Sequence, residues 1–279
     1  MKLKLWQVDA FAERPFSGNP AAVVPLERWL PDATMQAIAN ENNLAETAFF
    51  VPRSDGAFDL RWFTPAVEVP LCGHATLASA WVVLNELSPL SSVVRFQTKS
   101  GELTVQKEAD GRLRMSLPAG RVELFAAAAG FGKALGESLG VAAPTEIYLS
   151  SAGIGGMPGP LGVWPEEAVR AMRLSSTLVD VLARVGAAGL IATAKGDGAP
   201  YDFVSRFFVP GKGVPEDPVT GSAHATLTPF WAKRLGKGSL RAYQASPRGG
   251  DLLCTDEGDR VILAGPCALY LRGEIEVRG

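Results

Sequence analysis

From Leu3 to Phe11 polar and apolar residues alternate with a period of two (Leu-Lys-Leu-Trp-Gln-Val-Asp-Ala-Phe), which predicts a strand, and the turn formers Ser17-Gly18-Asn19-Pro20 close it in a tight loop. Ala21 to Pro25 reads as a second strand. The period changes after Pro31-Asp32: Met35, Ile38 and Ala39 share one face of a helix that fades around Glu41-Asn42-Asn43, with Asp32 placed to cap its free amides. Strand patterning returns at Thr47 to Val51, Phe58 to Phe63 and Val93 to Gln97. Glu102 to Lys107 and Leu113 to Leu117 predict a hairpin around Ala109-Asp110-Gly111. After Pro118-Ala119-Gly120 the character changes. Ala126 to Ala129, Gly130 and Gly132 carry little pattern, and 150–163 is rich in Gly, Ser and Pro. Pro165-Glu166-Glu167-Ala168-Val169-Arg170 opens a helix, acidic in its first turn as the macrodipole favours. Many short strands with few helices predict an α+β sheet system, with a domain boundary near 118.

An internal echo fixes the architecture. One copy runs Asp59-Leu-Arg-Trp-Phe-Thr-Pro65, then Cys72-Gly-His-Ala-Thr-Leu77, then Trp81. The other runs Asp202-Phe-Val-Ser-Arg-Phe-Phe-Val-Pro210, then Gly221-Ser-Ala-His-Ala-Thr-Leu227, then Trp231. Both histidines of the chain stand in His-Ala-Thr-Leu, with tryptophan seven residues later. The shared strand, loop and helix order makes this a duplication: two similar halves about a pseudo-two-fold axis, with a cleft where small molecules bind.

Composition narrows the chemistry. The chain has 279 residues, enough for one large or two medium domains, and its 47% hydrophobic and 20% charged content fits a packed core rather than disorder. A net charge of −2 leaves no long-range positive field for nucleic acid or an anionic membrane. Met1 to Trp6 is too briefly apolar for a signal-peptide core, no later run reaches the ~20 residues of a membrane span, and a cytoplasmic location is expected. Cys72, Cys254 and Cys267 lack Cys-x-x-Cys spacing, so neither a zinc knuckle nor a disulfide framework is encoded.

In each copy a Pro-containing loop leads through small residues, Gly73 or Gly221-Ser222, into a helix. Unblocked amides there, with the positive end of the macrodipole, bind an anion, and two such ends facing each other would hold a carboxylate. For a single copy the plainer reading is a turn glycine ahead of a helix that packs through Leu77, Trp81 and Leu84; the repetition favours the site. Pro229 removes a backbone bond from the second helix, so a kink or break is expected. His74 and His224 make a poor zinc pair without acidic ligands at suitable spacing. His74 follows its glycine directly and can reach the cleft as donor or acid, whereas His224 stands farther along and reads as structural. Glu46 lies where a helix hands over to the apolar run Ala48-Phe49-Phe50-Val51. It is either a desolvated acid/base with a raised pKa or a strand-edge surface carboxylate. Asp217 is either a turn former before proline or a cleft residue near the helix end.

Phe16-Ser-Gly-Asn-Pro20, Asn43-Leu-Ala-Glu-Thr47, Phe63-Thr-Pro65 with Leu71-Cys-Gly-His-Ala-Thr76, Glu216-Asp-Pro-Val-Thr-Gly-Ser-Ala223 and Ser246-Pro-Arg-Gly249 resemble the signatures of the phenazine biosynthesis PhzF-like family. That family shares the diaminopimelate epimerase fold. The resemblance spans about residues 8 to 250 and is silent over 121–163. It implies two α/β domains, each a sheet wrapped round a central helix: 1–118 with a returning C-terminal strand 266–279, and 119–265. It further implies a cofactor-free isomerase of a small carboxylate, with Glu46 as acid/base, His74, Asp217 and Ser222 as helpers, and Asn19, Gly73 and Gly221 in substrate binding; the poor ligand set of the two histidines leads us to expect no metal. The type reaction is isomerisation of a dihydro-hydroxyanthranilate, one carboxylate removing a ring proton and returning it elsewhere. A homodimer is expected on the same ground. The rival within the fold is an amino-acid epimerase or racemase using one thiol from each half. Cys72 holds the first place but Asp217-Pro218 the second, so Cys72 reads as a small buried residue beside the site. A catalytically silent binding or scaffold protein is the alternative of another class.

Overall fold

The computed structural model describes residues 1–154, 157–212 and 214–277, and the chain divides into two units, Met1–Ser116 with Ala264–Gly279, and Leu117–Leu263. Two residues of the 150–163 stretch and the last two of the predicted terminal strand lie outside the described residues.

In the first unit the opening alternation forms β1 (Lys2–Ala10), antiparallel to β2 (Asn19–Pro25). Helix α1 (Asp32–Asn42) buries Met35, Ile38 and Ala39 and stops at Asn43, whose left-handed backbone (φ 48°, ψ 35°) turns the chain toward β3 (Glu46–Pro52). β3 lies parallel to β2 and antiparallel to β4 (Phe58–Phe63), which also pairs with the short β5 (Glu68–Val69). Helix α2 (Gly73–Val82) follows, then β6 (Val93–Thr98), parallel to β4, and the antiparallel strands β7 (Gly101–Lys107) and β8 (Leu113–Pro118). α2 has almost no polar face: its residues from His74 to Ala80 are buried, and it packs on β1, β2 and β3, the arrangement of a helix surrounded by sheet. Each large apolar side chain sequestered this way, such as Leu77, is worth roughly 1.5–3 kcal/mol.

The second unit runs β9 (Val122–Leu124), α3 (Phe131–Ser138), β10 (Glu146–Ile154), β11 (Met157–Val163), α4 (Glu166–Ala171), α5 (Leu178–Ala183) and β12 (Leu190–Gly198). It continues with β13 (Tyr201–Val209), β14 (Val214–Asp217), α6 (Gly221–Leu235), β15 (Ser239–Gln244), β16 (Gly250–Asp256) and β17 (Arg260–Gly265). The final strand, β18 (Cys267–Glu276), pairs antiparallel with β1 of the first unit. Among the described residues no helix is long and apolar enough to cross a membrane.

The pairings repeat. β10–β11 is antiparallel, β11–β12 parallel, β12–β13 and β13–β14 antiparallel, β13–β15 parallel and β15–β16 antiparallel, the pattern of β1–β2, β2–β3, β3–β4, β4–β5, β4–β6 and β6–β7. The register also repeats. Phe63 faces Thr47 and Glu68; Phe208, its equivalent two residues before proline, faces Leu190 and Glu216. Arg61 and Arg206, two residues earlier, each fork onto these glutamates with two bonds, 2.8 and 2.9 Å to Glu68 and 2.7 Å each to Glu216.

Two local expectations are corrected. Asp32 makes no cap bond, because Arg61 draws its carboxylate away at 2.8 Å; Pro31 is the cap residue. No break occurs at Pro229, and α6 continues through it as one helix. The Ala225 carbonyl that a proline nitrogen cannot serve accepts a hydrogen bond from the Gly120 amide at 3.0 Å. That approach requires glycine, since a Cβ on Gly120 would lie 2.2 Å from Thr226 Oγ1.

Candidate active site

Three strand and helix starts of the first unit bring Glu46, Asn19 and His74 together. Glu46 is the first residue of β3, opposite Ala21 of β2. The handover from α1 is tied down by Asn42, whose Nδ2 donates to Thr47 Oγ1 at 3.1 Å. Asn19 opens β2 after Gly18, where φ is +64° and a Cβ would lie 2.2 Å from the Ala10 carbonyl oxygen, so only glycine admits the turn. His74 is the second residue of α2.

The imidazole of His74 lies between the other two side chains. Asn19 Nδ2 donates to its Nδ1 at 3.1 Å, which leaves the proton of the neutral ring on Nε2, 3.0 Å from Glu46 Oε2. That carboxylate oxygen is buried and receives no hydrogen bond of good geometry from the described residues. Burial works against a charged His74, but its interactions with Cys72 and then with the Glu46 carboxylate outweigh this and raise its pKa well above 6.5. A half-turn of the Asn19 amide presents its oxygen to the charged ring. Cys72, before α2, sets its sulfur 3.6 Å from Nδ1 and 4.0 Å from Nε2 of the same ring. Burial, and secondarily the Glu46 charge, push the thiol up to about 11.

The second unit gathers Asp217, Gly221 and Ser222 at the start of α6. Thr220, the cap residue, turns its hydroxyl onto Asp217 Oδ2 instead of onto the helix amides. Gln244 is fully buried and clamps the loop: its Oε1 accepts from the Thr220 amide at 2.8 Å, and its Nε2 donates to the Asp217 carbonyl at 2.7 Å. Ser246 Oγ donates to the Pro218 carbonyl at 2.8 Å. His224 is fully buried, with Nδ1 donating to the Thr220 carbonyl at 2.8 Å and Nε2 3.3 Å from Ser205 Oγ; burial lowers its pKa to about 4. It is therefore a neutral structural residue.

In both helices the first intrahelical bond reaches the cap residue, Thr76 to Cys72 and His224 to Thr220 at 3.2 Å each, and neither cap side chain bonds the amides that follow. The backbone at Gly73 and Gly221 thus presents helix-start N–H groups without an intrahelical acceptor. The helix starts align Gly73 with Gly221 and His74 with Ser222, which sets the two His-Ala-Thr-Leu segments two residues out of phase. Two helical residues turn about 200°, so one histidine faces a carboxylate and the other the core. By the same register Glu46 corresponds to Gly189 and Cys72 to Thr220.

The structure therefore groups Asn19, Glu46 and His74 beside Gly73 in one unit, and Asp217, Gly221 and Ser222 in the other. Gln244, Thr220 and the two Arg–Glu forks were not singled out from the sequence. Only the matching Arg-Trp-Phe-Thr-Pro and Arg-Phe-Phe-Val-Pro strings hint at the forks. Among the described residues Glu46, Cys72 and His74 form a set of metal-capable side chains.

A mixed α+β chain that twice surrounds a buried helix with strands has the epimerase-like fold. A hydroxyproline epimerase from Agrobacterium vitis shares that fold at a TM-score of 0.62 and 12% identity, over 98% of this chain and 91% of that one. The chain belongs to the PhzC-PhzF family of phenazine biosynthesis-like proteins, whose family model matches residues 8–273. It is similar to a Pseudomonas aeruginosa protein named as an uncharacterized isomerase, 48% identical over 277 residues that cover 99% of this chain and 100% of the relative. A crystal structure of a PhzF family phenazine biosynthesis protein from Enterococcus faecalis matches with a TM-score of 0.89 and 42% identity, over 99% of this chain and 100% of that one.

Proposed function

We propose that the protein is a cofactor-independent isomerase that moves a proton on a small, cyclic carboxylate, with Glu46 as its one acid/base. The observation that carries this reading is Glu46 Oε2: buried, 3.0 Å from His74 Nε2, and without a well-directed donor. A buried carboxylate oxygen left open in this way can take a proton from carbon. Glu46 removes the proton, the substrate delocalises the charge, and the same carboxyl returns the proton at another carbon. His74 holds Glu46 in place and stabilises its anionic form before the first transfer and after the second; Asn19 holds the ring. Gly73 and Gly221 contact the substrate carboxylate through backbone N–H groups, and Asp217 and Ser222 bind its other polar groups. Support for these four comes from the repeated strand, loop and helix and from the family. The cytoplasmic location and homodimer belong to the same proposal, and light scattering reads the dimer.

A two-base epimerase is disfavoured by the register, because Gly189 and Thr220 stand where the repeat would need a second carboxylate or thiol. Incubation in D2O with cyclic carboxylates of the dihydroanthranilate type tests the proposal. Carbon-bound deuterium is expected in released substrate or product. With folded Glu46→Gln the rate falls at least about 100-fold, the lower range for loss of an acid/base. Ligand that binds and leaves unlabelled would favour the silent binder.

A further inference from the structure

We propose that Gln244 is a positioning residue: through Thr220 it fixes the Asp217 carboxylate and the start of α6 for binding substrate. Its side chain is fully buried and engages one loop at three points. Besides accepting from the Thr220 amide and donating to the Asp217 carbonyl, it sets Nε2 3.3 Å from Thr220 Oγ1. The Thr220 N–H can only donate, which settles which end of the Gln244 amide is oxygen and leaves the other end a donor. A hydroxyl carries a single proton. Thr220 Oγ1 therefore accepts from Gln244 and turns its own proton onto Asp217 Oδ2, so Asp217 is kept as an acceptor in a set orientation.

The duplication separates this role from a structural one. Glu68 matches Glu216 and Gly73 matches Gly221, so the two loops align without a gap and Pro70 matches Pro218. The parallel pairs Phe58–Phe96 and Phe203–Ala242 then match Thr98 to Gln244 and Ser100 to Ser246. One bond is kept in both units: Ser100 Oγ donates to the Pro70 carbonyl at 2.8 Å, as Ser246 Oγ does to Pro218. The amide clamp is not kept. Thr98 Oγ1 donates to the Gly101 carbonyl of its own hairpin at 2.7 Å, and Val69 and Cys72 stand where the second unit has Asp217 and Thr220. The first loop is thus built without the amide, and glutamine, threonine and aspartate occur together where the loop carries a carboxylate. The inference rests on the proposed placing of Asp217 and Gly221 in substrate binding.

Calorimetric titration of the full chain with anthranilate tests the role. This planar carboxylate offers an amine to an acceptor and has no saturated ring carbon to deprotonate, so its affinity is read apart from turnover. Gln244→Met and Thr220→Val should each weaken binding by at least about 10-fold, the size of one hydrogen bond to a charged group. Thr220→Ser should restore it, and Asp217→Ala should weaken it at least as much as Gln244→Met. On a substrate that takes up deuterium, Gln244→Met and Thr220→Val should raise KM and spare kcat, the opposite of Glu46→Gln. A lower urea midpoint with affinity unchanged in these two variants is the mark of a structural role. That result, or a loss confined to kcat, overturns the positioning role alone if Asp217→Ala still loses affinity. If Gln244→Met does not fold, Thr220→Val and Thr220→Ser decide. Affinity kept in Asp217→Ala, or no binding by the wild-type chain, overturns the placing of Asp217 and this inference with it. Anthranilate binding without deuterium labelling of any substrate counts against Glu46 and leaves Gln244 in its role.

Discussion

The two histidines share a tetrapeptide context and differ in charge. His74 has its pKa raised well above 6.5; His224 has its pKa lowered to about 4 by burial. The stability consequences have opposite signs. The raised value of His74 means that its contribution is whole below about 6.5 and is lost as pH rises through the folded value. The lowered value of His224 means that its contribution is whole above about 6.5 and is lost as pH falls through about 4. With only two histidines, an NMR titration of ring signals resolves both. We expect one ring still charged above pH 6.5 and one neutral until about pH 4, and in Glu46→Gln the first falls because burial then acts without the carboxylate. Equal values near 6.5 would refute the pairing. Glu46 and His74 were legible because a carboxylate before an apolar run and a histidine after a helix-start glycine are unusual placements. Gln244 was not, since nothing local marks an amide that bonds a loop more than twenty residues earlier.

At the scale of elements, most strands were legible as alternation, and the errors arose from partners distant in sequence. Asp32 followed the capping rule until Arg61 claimed it, and Pro229 followed the breaking rule until Gly120 served the freed carbonyl. Gly120→Ala should destabilise the protein by about 1–3 kcal/mol through overpacking against Thr226, and Thr226→Ala should recover part of that loss, as read by urea unfolding. The Arg–Glu forks allow a paired test. The Arg206 and Glu216 side chains are 8% and 12% exposed, and those of Arg61 and Glu68 18% and 19%. Glu216→Gln should therefore cost about 3 kcal/mol by leaving a buried guanidinium uncompensated, and Glu68→Gln less. The Arg61 bond holds the Glu68 carboxyl at about 2, below its ordinary 4.5. Its contribution is complete above about 4.5 and disappears as pH falls toward 2, so Glu68→Gln should flatten that limb of the stability profile.

For the whole molecule, the duplication was legible from the echo, but its phase was not. Matching letters aligned histidine with histidine, whereas strand register and helix starts align His74 with Ser222 and Glu46 with Gly189. A repeat that keeps its strands, helix starts and Arg–Glu forks while carrying a carboxylate at the Glu46 position in one copy alone suits one-base proton transfer. The most direct measurement is the rate at which solvent deuterium enters carbon of a cyclic carboxylate, compared between the wild-type chain and folded Glu46→Gln. One-base transfer predicts labelling by the wild type and at least about a 100-fold slower rate in the variant. Equal rates in the two chains would contradict it.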